Sequence, residues 1–369
     1  MTRVVGIDPG TLSFDLCGLE DGQLFLDITL ASSEVATQPQ ILVETLQAAQ
    51  PLDLIIGPSG YGLPWVRLEE ISDEELFLFA LTDAREPQHA AGLVGIRQLV
   101  NALQVTQLPV LFMPGVIHLP TVPAFRKANK IDMGTADKLC CVALGIFDQA
   151  RYYDLAYGET SFIYVEVGGA FTAVIAVQNG QVIDGLGGSS GAPGFYALGA
   201  MDGELAYLLG EFHKEVLFSG GVAYIAGQPT LSPDEAAMML DANPVVRQAW
   251  EALFEGVVKS VAAEMVVAPM AREIILSGRL CRIPVVLAEL TRRLSSFTPV
   301  RRVSGLAKIA KEAAQGAALI ADGMLGGQFA SLVEVMRLKE AHGAILDYIY
   351  VNVTPPIKQK YLTSRNLNL

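Results

Sequence analysis

The chain has 369 residues, 51% hydrophobic and 18% charged, with a formal net charge of −13. That length suggests two domains with full cores, and the composition excludes a disordered chain. The acidic excess argues against a protein that grips a nucleic-acid backbone, and no apolar run approaches a membrane span of about 20 residues.

The first element is VVGIDPGT, Val4 to Thr11, an apolar strand that delivers Asp8 into a Pro-Gly-Thr turn. An alternating strand around Phe14 to Leu19, an Asp21-Gly22 turn and a third strand, QLFLDITL, complete a meander, with Asp-Gly suited to a primed hairpin turn. LDLIIGPSGYGLP, 52–64, reads as a central strand with Ser59 and Tyr61 either on a pocket lip or on a plain tight turn. Between 126 and 138 the cations Arg126, Lys127, Lys130 and Lys138 mix with Asp132 and Asp137, as a solvated loop or as part of a site. They lead into a helix within KIDMGTADKLCCVALGI, 130–146, with Thr135 as its N-cap. Asp137 stands three residues before Cys140 and seven before Leu144, so it shares a face with an apolar stripe and needs a partner. The dipole of the helix also explains an acid there.

The passage from Phe162, FIYVEVGGAFTAVIAVQNGQVIDGLGG, repeats the opening without a gap. Glu166 lies 158 positions after Asp8, and the same offset carries Gly10 to Gly168, Gly22 to Gly180 and Gln23 to Gln181. A strand-turn-strand-turn-strand unit with its acid in register reads as a duplicated domain core. Further on, Gly220-Gly221 reads as a hairpin or active-site loop, Ser232 starts a helix, and an apolar strand, Ile274 to Leu276, delivers Ser277 and Gly278 into a turn. AKEAAQGAALIADGMLGG, 310–327, is a helix whose small residues allow close approach of another. The tail, Ser331 to Pro355, reads as an amphipathic helix closed near Gly343 and then an edge strand. Cys17, Cys140, Cys141 and Cys281 lack CxxC spacing and read as reduced, buried thiols; the four histidines lack zinc spacing.

Two glycine turns, each beside an acid, have a definite chemistry. Without a Cβ the backbone N–H groups approach a polyphosphate closely, and an acid at a strand end orients hydrated Mg2+ between phosphate oxygens.

In these motifs and their order the chain resembles the superfamily of acetate and sugar kinases, heat-shock chaperone ATPases and actin. IDPGT, 7–11, looks like its first phosphate loop and EVGGAFT, 166–172, like the second. REIILSGRL, 272–280, looks like the adenosine motif, and 130–146 and 310–327 look like the two connecting helices. The resemblance implies an α/β fold of two duplicated ribonuclease-H-like domains with ATP in the cleft between them. The expected divisions are 1–150, 151–327 and a packing tail, 328–369.

Within that superfamily, LPTVPAFRKANKIDMGTADKL, 119–139, and AAQGAALIADGMLGG, 313–327, are similar to the family called domain of unknown function 1464, described as predicted butyrate kinases. Well-understood acyl kinases usually carry Asn where this chain has Asp8, and their acyl-binding arginines and histidine have no match here by position. GTADKL with the later run Gly187 to Gly194 is also similar to type III pantothenate kinases, with Lys138 where those have Arg.

The resemblance implies a cytoplasmic, ATP- and Mg2+-dependent kinase of a small metabolite, with no nucleic-acid or membrane partner and room for a homodimer. Asp8 and Glu166 are assigned to Mg2+ and water; Gly10, Thr11, Gly168, Gly169 and Thr172 to phosphates; Ser277 and Gly278 to adenosine. Lys138, Arg126 and Lys130 would meet the acceptor or the moving phosphate, and Asp137 would be the base for an alcohol. A carboxylate acceptor needs cations and no base, whereas an alcohol needs a base. The stretch 126–138 offers both, and a switch ATPase without an acceptor stays open. A two-metal nuclease would want an acid on the next central strand, where LDLIIGPSG has Gly57.

Overall fold

The computed structural model describes residues 1–10, 13–57, 60–82, 94–353, 357 and 359, without the side chains of 94–98. The first meander forms β1 (Arg3–Pro9), β2 (Ser13–Glu20) and β3 (Gln23–Ala31), joined antiparallel. β4 (Leu54–Ile56) and β5 (Val110–Leu111) add in parallel on the other side, giving the order β3-β2-β1-β4-β5. The second half repeats this with β6 (Phe162–Val167), β7 (Thr172–Gln178), β8 (Gln181–Leu186), β9 (Glu273–Ser277) and β10 (Val300–Arg302), in the order β8-β7-β6-β9-β10.

The repeat extends to the pairing register. Asp8 pairs with Asp15 and, 158 residues on, Glu166 pairs with Ala173. The irregularity between β2 and β3 falls at Gly18/Leu19, and that between β7 and β8 at the equivalent Ala176/Val177. Asp21 and Gly22 take φ of 47° and 76°, Asn179 and Gly180 φ of 51° and 71°, the left-handed pair that a primed turn requires.

Three helices position the site: α1 (Ala136–Tyr153), α2 (Pro244–Val267) and α3 (Glu312–Met324). Each connecting helix lies against the other half's sheet. α1 follows the first sheet in sequence, yet a Cβ on its Gly145 would come within 2.8 Å of Tyr164 on β6. α3 comes late in the chain and lies on β1, where a Cβ on Gly6 would meet the Ala314 carbonyl oxygen at 2.3 Å. α2 covers the second sheet through its own core, in which Trp250 stacks on Phe254 with ring centroids 5.4 Å apart.

Small residues let α1 and α3 touch backbone to backbone: a Cβ on Gly316 would fall 1.8 Å from the Cys140 carbonyl oxygen. Gly316→Ala should therefore lose about 1–3 kcal/mol in chemical denaturation, although alanine is the better helix former. An unchanged or raised midpoint would contradict this packing.

Three expectations need correction or completion. No edge strand follows Gly343 among the described residues: the tail is a helix Ala330–Val335 and a 3-10 turn Leu338–Glu340. Arg337, at φ 54°, ends the helix early, and Asp347 accepts a hydrogen bond from Ala344 N, which keeps the chain turning. Gly220-Gly221 is no hairpin, because Gly221 N donates to Tyr196 O and a short helix, Val222–Ile225, starts at once. Thr135 sits at the N-cap position of α1, but its hydroxyl bonds Asp137 instead of capping the helix. The four cysteines are free and buried, and Ser232 caps its helix with Glu235 in a reciprocal pair.

Candidate active site

The two glycine turns close alike. Gly10 N donates to Ser13 O and Gly168 N to Phe171 O, each at 2.9 Å. A Cβ on Gly10 would meet Ser13 O at 2.9 Å, and one on Gly168 would meet Phe171 O at 3.0 Å. Only glycine fits there without a shift, which leaves the backbone open to a close ligand. Gly169 lies half-buried beside Gly168, while Thr11 and Ser59 lie outside the described residues.

The acids of the two sheets converge on the start of α1. Lys138 Nζ lies 2.7 Å from Asp137 Oδ2 and 3.0 Å from Glu166 Oε2. The Thr135 hydroxyl donates to Asp137 Oδ1 at 2.5 Å and fixes that carboxylate. Asp8 completes the group: burial, then the negative charge of Asp137, push its pKa up to about 7 against the pull of Lys311 and Lys138. Asp8, Asp137, Lys138 and Glu166 thus form one electrostatic cluster, although they come from β1, α1 and β6.

The charges divide the work. Burial opposes the charge of Asp137, but Lys138 and the Thr135 hydroxyl outweigh it and hold its pKa below the ordinary value. Burial also opposes the charge of Lys138, yet Asp137 and Glu166 hold its pKa well above the usual lysine value. Lys138 is therefore a fixed cation and no base. Burial raises the pKa of Glu166, with Lys138 pulling the other way.

On the adenosine side, Gly278 has φ of 93°, and a Cβ there would strike Val167 O at 2.4 Å. Ser277 and Thr172 are fully buried; the Thr172 hydroxyl has no hydrogen-bond partner among the described residues, and the Ser277 hydroxyl lies beside that of Tyr164. Arg126 and Lys130 go elsewhere. Arg126 donates to Ile183 O at 2.8 Å and lies 3.5 Å from Asp184 Oδ2, a carboxylate whose surroundings also include Lys130.

Asp132, one of the mixed charges between 126 and 138, and Lys311 join the site although the sequence reading gave neither a role of its own. Buried Asp132 accepts hydrogen bonds from Gly134 N, Ser189 N and the Ser189 hydroxyl at 2.9–3.1 Å, so the 187–190 turn of the second half closes on the stretch before α1. Lys311, directly before α3, lies beside the first glycine turn; a Cβ on Gly10 would be 3.2 Å from its Nζ. A lysine at the start of a helix opposes the helix dipole, and that anomaly was the available signal.

The family model described as protein of unknown function (DUF1464) matches residues 6–351. The chain belongs to this family. Among solved structures, a propionate kinase from Francisella tularensis subsp. tularensis SCHU S4 is similar over 86% of this chain and 99% of its own, at 14% identity and a TM-score of 0.60. The acetate kinase of Porphyromonas gingivalis is similar over 88% and 100%, at 12% identity and 0.58. That of Entamoeba histolytica is similar over 80% and 87%, at 10% identity and 0.55. At these identities the likeness shows the fold, the two-domain actin-like α/β architecture read from the sequence. A comparison with curated proteins returns no match.

Proposed function

We propose that this member of the family transfers the γ-phosphoryl group of ATP to a small metabolite, between lobes formed by residues 1–150 and 151–327 with 328–369 packed on the body. One observation carries the reading: Asp8, Asp137, Lys138 and Glu166 form a single cluster joined to both glycine turns. The residues present fit Mg-ATP. Three glycines, Gly10, Gly168 and Gly278, stand where a Cβ would collide, and the buried Thr172 hydroxyl lacks a partner beside the second turn.

Bound Mg-ATP would supply the phosphoryl group and part of the charge neutralisation. Among the described residues no three His, Cys, Asp or Glu side chains form a metal cage, so Asp8 and Glu166 would share the ion with phosphate oxygens and water. Lys138 holds positive charge between the two halves as negative charge builds up on the transferring group. Gly10, Gly168 and Gly169, with Thr11, serve the phosphates, and Ser277 and Gly278 the adenosine.

Two acceptor classes rest on different observations. Asp137, ionised and held by Thr135, would take the proton of a hydroxyl as its oxygen bonds phosphorus. A short-chain carboxylate is favoured by the likeness to a propionate kinase and acetate kinases. For a carboxylate, Arg126 and Lys130 would have to leave Asp184 and turn to the acceptor.

The test is incubation with Mg-ATP and panels of short-chain carboxylates, including butyrate, and small alcohols, including pantothenate. Hydroxamate trapping detects acyl phosphates and mass spectrometry detects phosphate esters. Transfer to one panel is expected. Failure of the folded protein to bind Mg-ATP by calorimetry, or hydrolysis indifferent to every acceptor, would overturn the reading, the second outcome in favour of a nucleotide switch.

A further inference from the structure

We propose that Lys311 is a phosphate-binding cation of the first glycine turn and that Asp27 positions it; this rests on the phosphotransferase reading. Lys311 Nζ donates to the Ser13 hydroxyl at 2.5 Å and lies 3.3 Å from Asp15 Oδ2. Ser13 is the residue whose carbonyl closes the Gly10 turn, and Asp15 pairs with Asp8 across β1 and β2. The ammonium therefore stands beside the turn and next to the strand-end acid. An ammonium has three N–H donors; one is given to the Ser13 hydroxyl, and its charge is shared with Asp15. The Asp8 carboxylate also feels the charge of Lys311, whose side chain is 26% exposed. The ammonium is thus partly open to solvent beside Gly10, with donor capacity beyond its bond to Ser13.

The backbone before Lys311 is fixed in place from a distance. The Asp27 carboxylate, on β3, accepts the N–H groups of Lys308, Ile309 and Ala310 at 2.7–3.1 Å. Those bonds hold the Asp27 pKa below its ordinary value in spite of its partial burial. From α3 itself, the Gln315 side chain accepts from Leu306 N and Ala307 N and donates to Ala310 O. Two polar side chains thus take six backbone groups of a six-residue loop ending at Lys311. A residue needed only to start a helix would be better as Asp or Ser, whose oxygen meets the free N–H groups. Here the position carries a cation instead, and the loop is built to aim it at Gly10.

Calorimetry with Mg-ATP and with adenosine on the full chain separates this role from a structural pair with Asp15. Lys311→Ala should weaken Mg-ATP by about tenfold to hundredfold, the range for a lost charge-assisted hydrogen bond, and leave adenosine unchanged. Lys311→Arg should retain most of the affinity. Asp27→Asn should weaken Mg-ATP by a smaller factor, because the amide keeps only one acceptor oxygen for three N–H groups. If Lys311→Ala melts below the assay temperature, Lys311→Met, which keeps the aliphatic stem, is titrated in its place. Wild-type binding with an unaltered affinity in the folded Lys311 variant would overturn the assignment and leave the phosphotransferase reading standing. Absence of Mg-ATP binding by the wild type would remove both.

Discussion

Lys138→Ala should lower phosphoryl transfer by about 10²–10³-fold, the loss found when one preorganised electrostatic group is removed from an active site. Its ammonium pairs with both Asp137 and Glu166, at 2.7 and 3.0 Å. Without it two carboxylates face each other beside Asp8, whose pKa burial and Asp137 already push up to about 7. The cluster would then repel phosphate where it should attract it. Lys138→Arg keeps the charge in a wider, planar group and should recover only part of the rate. Asp137→Asn divides the acceptor classes: with a hydroxyl acceptor the loss should be about 10²–10⁴-fold, with a carboxylate acceptor small. Steady-state kinetics on whichever panel member is phosphorylated reads both variants, and a Lys138→Ala enzyme with unaltered kcat/KM would remove this lysine from the mechanism.

Local chemistry carried most of what the sequence revealed. Asp21-Gly22 and Asn179-Gly180 favour the same turn, and the gapless spacing around them marked out two equivalent meanders, to which the structure adds a shared irregularity in register. The small residues of α3 announced a close helix contact because a backbone approach leaves no other choice of residue. Charge partners were less legible. Arg126 stands near Lys138 in sequence, but the chain path takes it to Asp184 on β8, and Coulomb attraction acts on whatever topology brings near. Lys311 and Ser13 lie 298 residues apart, so no local pattern could join them. The tail failed for a different reason. Its run Tyr348 to Val353 has strand composition, but composition expresses a preference for a pleated surface, and turn contacts at Arg337 and Asp347 took the chain elsewhere.

The largest loss of stability is expected away from the chemistry, at Arg301. This guanidinium on β10 pairs with Glu273 of β9 through two bonds, Nε at 2.6 Å and Nη2 at 2.9 Å, and with Asp148 of α1. Glu273 is 1% exposed and Asp148 2%, so water cannot take over if the arginine goes. Gln149 donates a further bond to Glu273 Oε1 at 2.8 Å and Ser304 N donates to Asp148 Oδ1 at 3.2 Å, which fixes α1 to the second sheet. Arg301→Met should therefore cost about 3–5 kcal/mol in chemical denaturation, because two buried carboxylates lose their cation. The deficit should depend on pH with a definite sign. Burial already holds the Asp148 pKa above its ordinary value in spite of Arg301, and removing the arginine moves it further up. A carboxyl whose folded pKa exceeds its unfolded one favours the folded state while protonated and costs stability as pH rises through the folded value. The variant should accordingly be weakest near neutrality and regain stability relative to wild type toward about pH 5. Adding Asp148→Asn and Glu273→Gln to Arg301→Met should recover part of the loss at pH 7, since neutral amides cost less to bury than carboxylates. A single variant as stable as wild type at pH 7, or a deficit that grows on acidification, would show that Arg301 does not neutralise this pair.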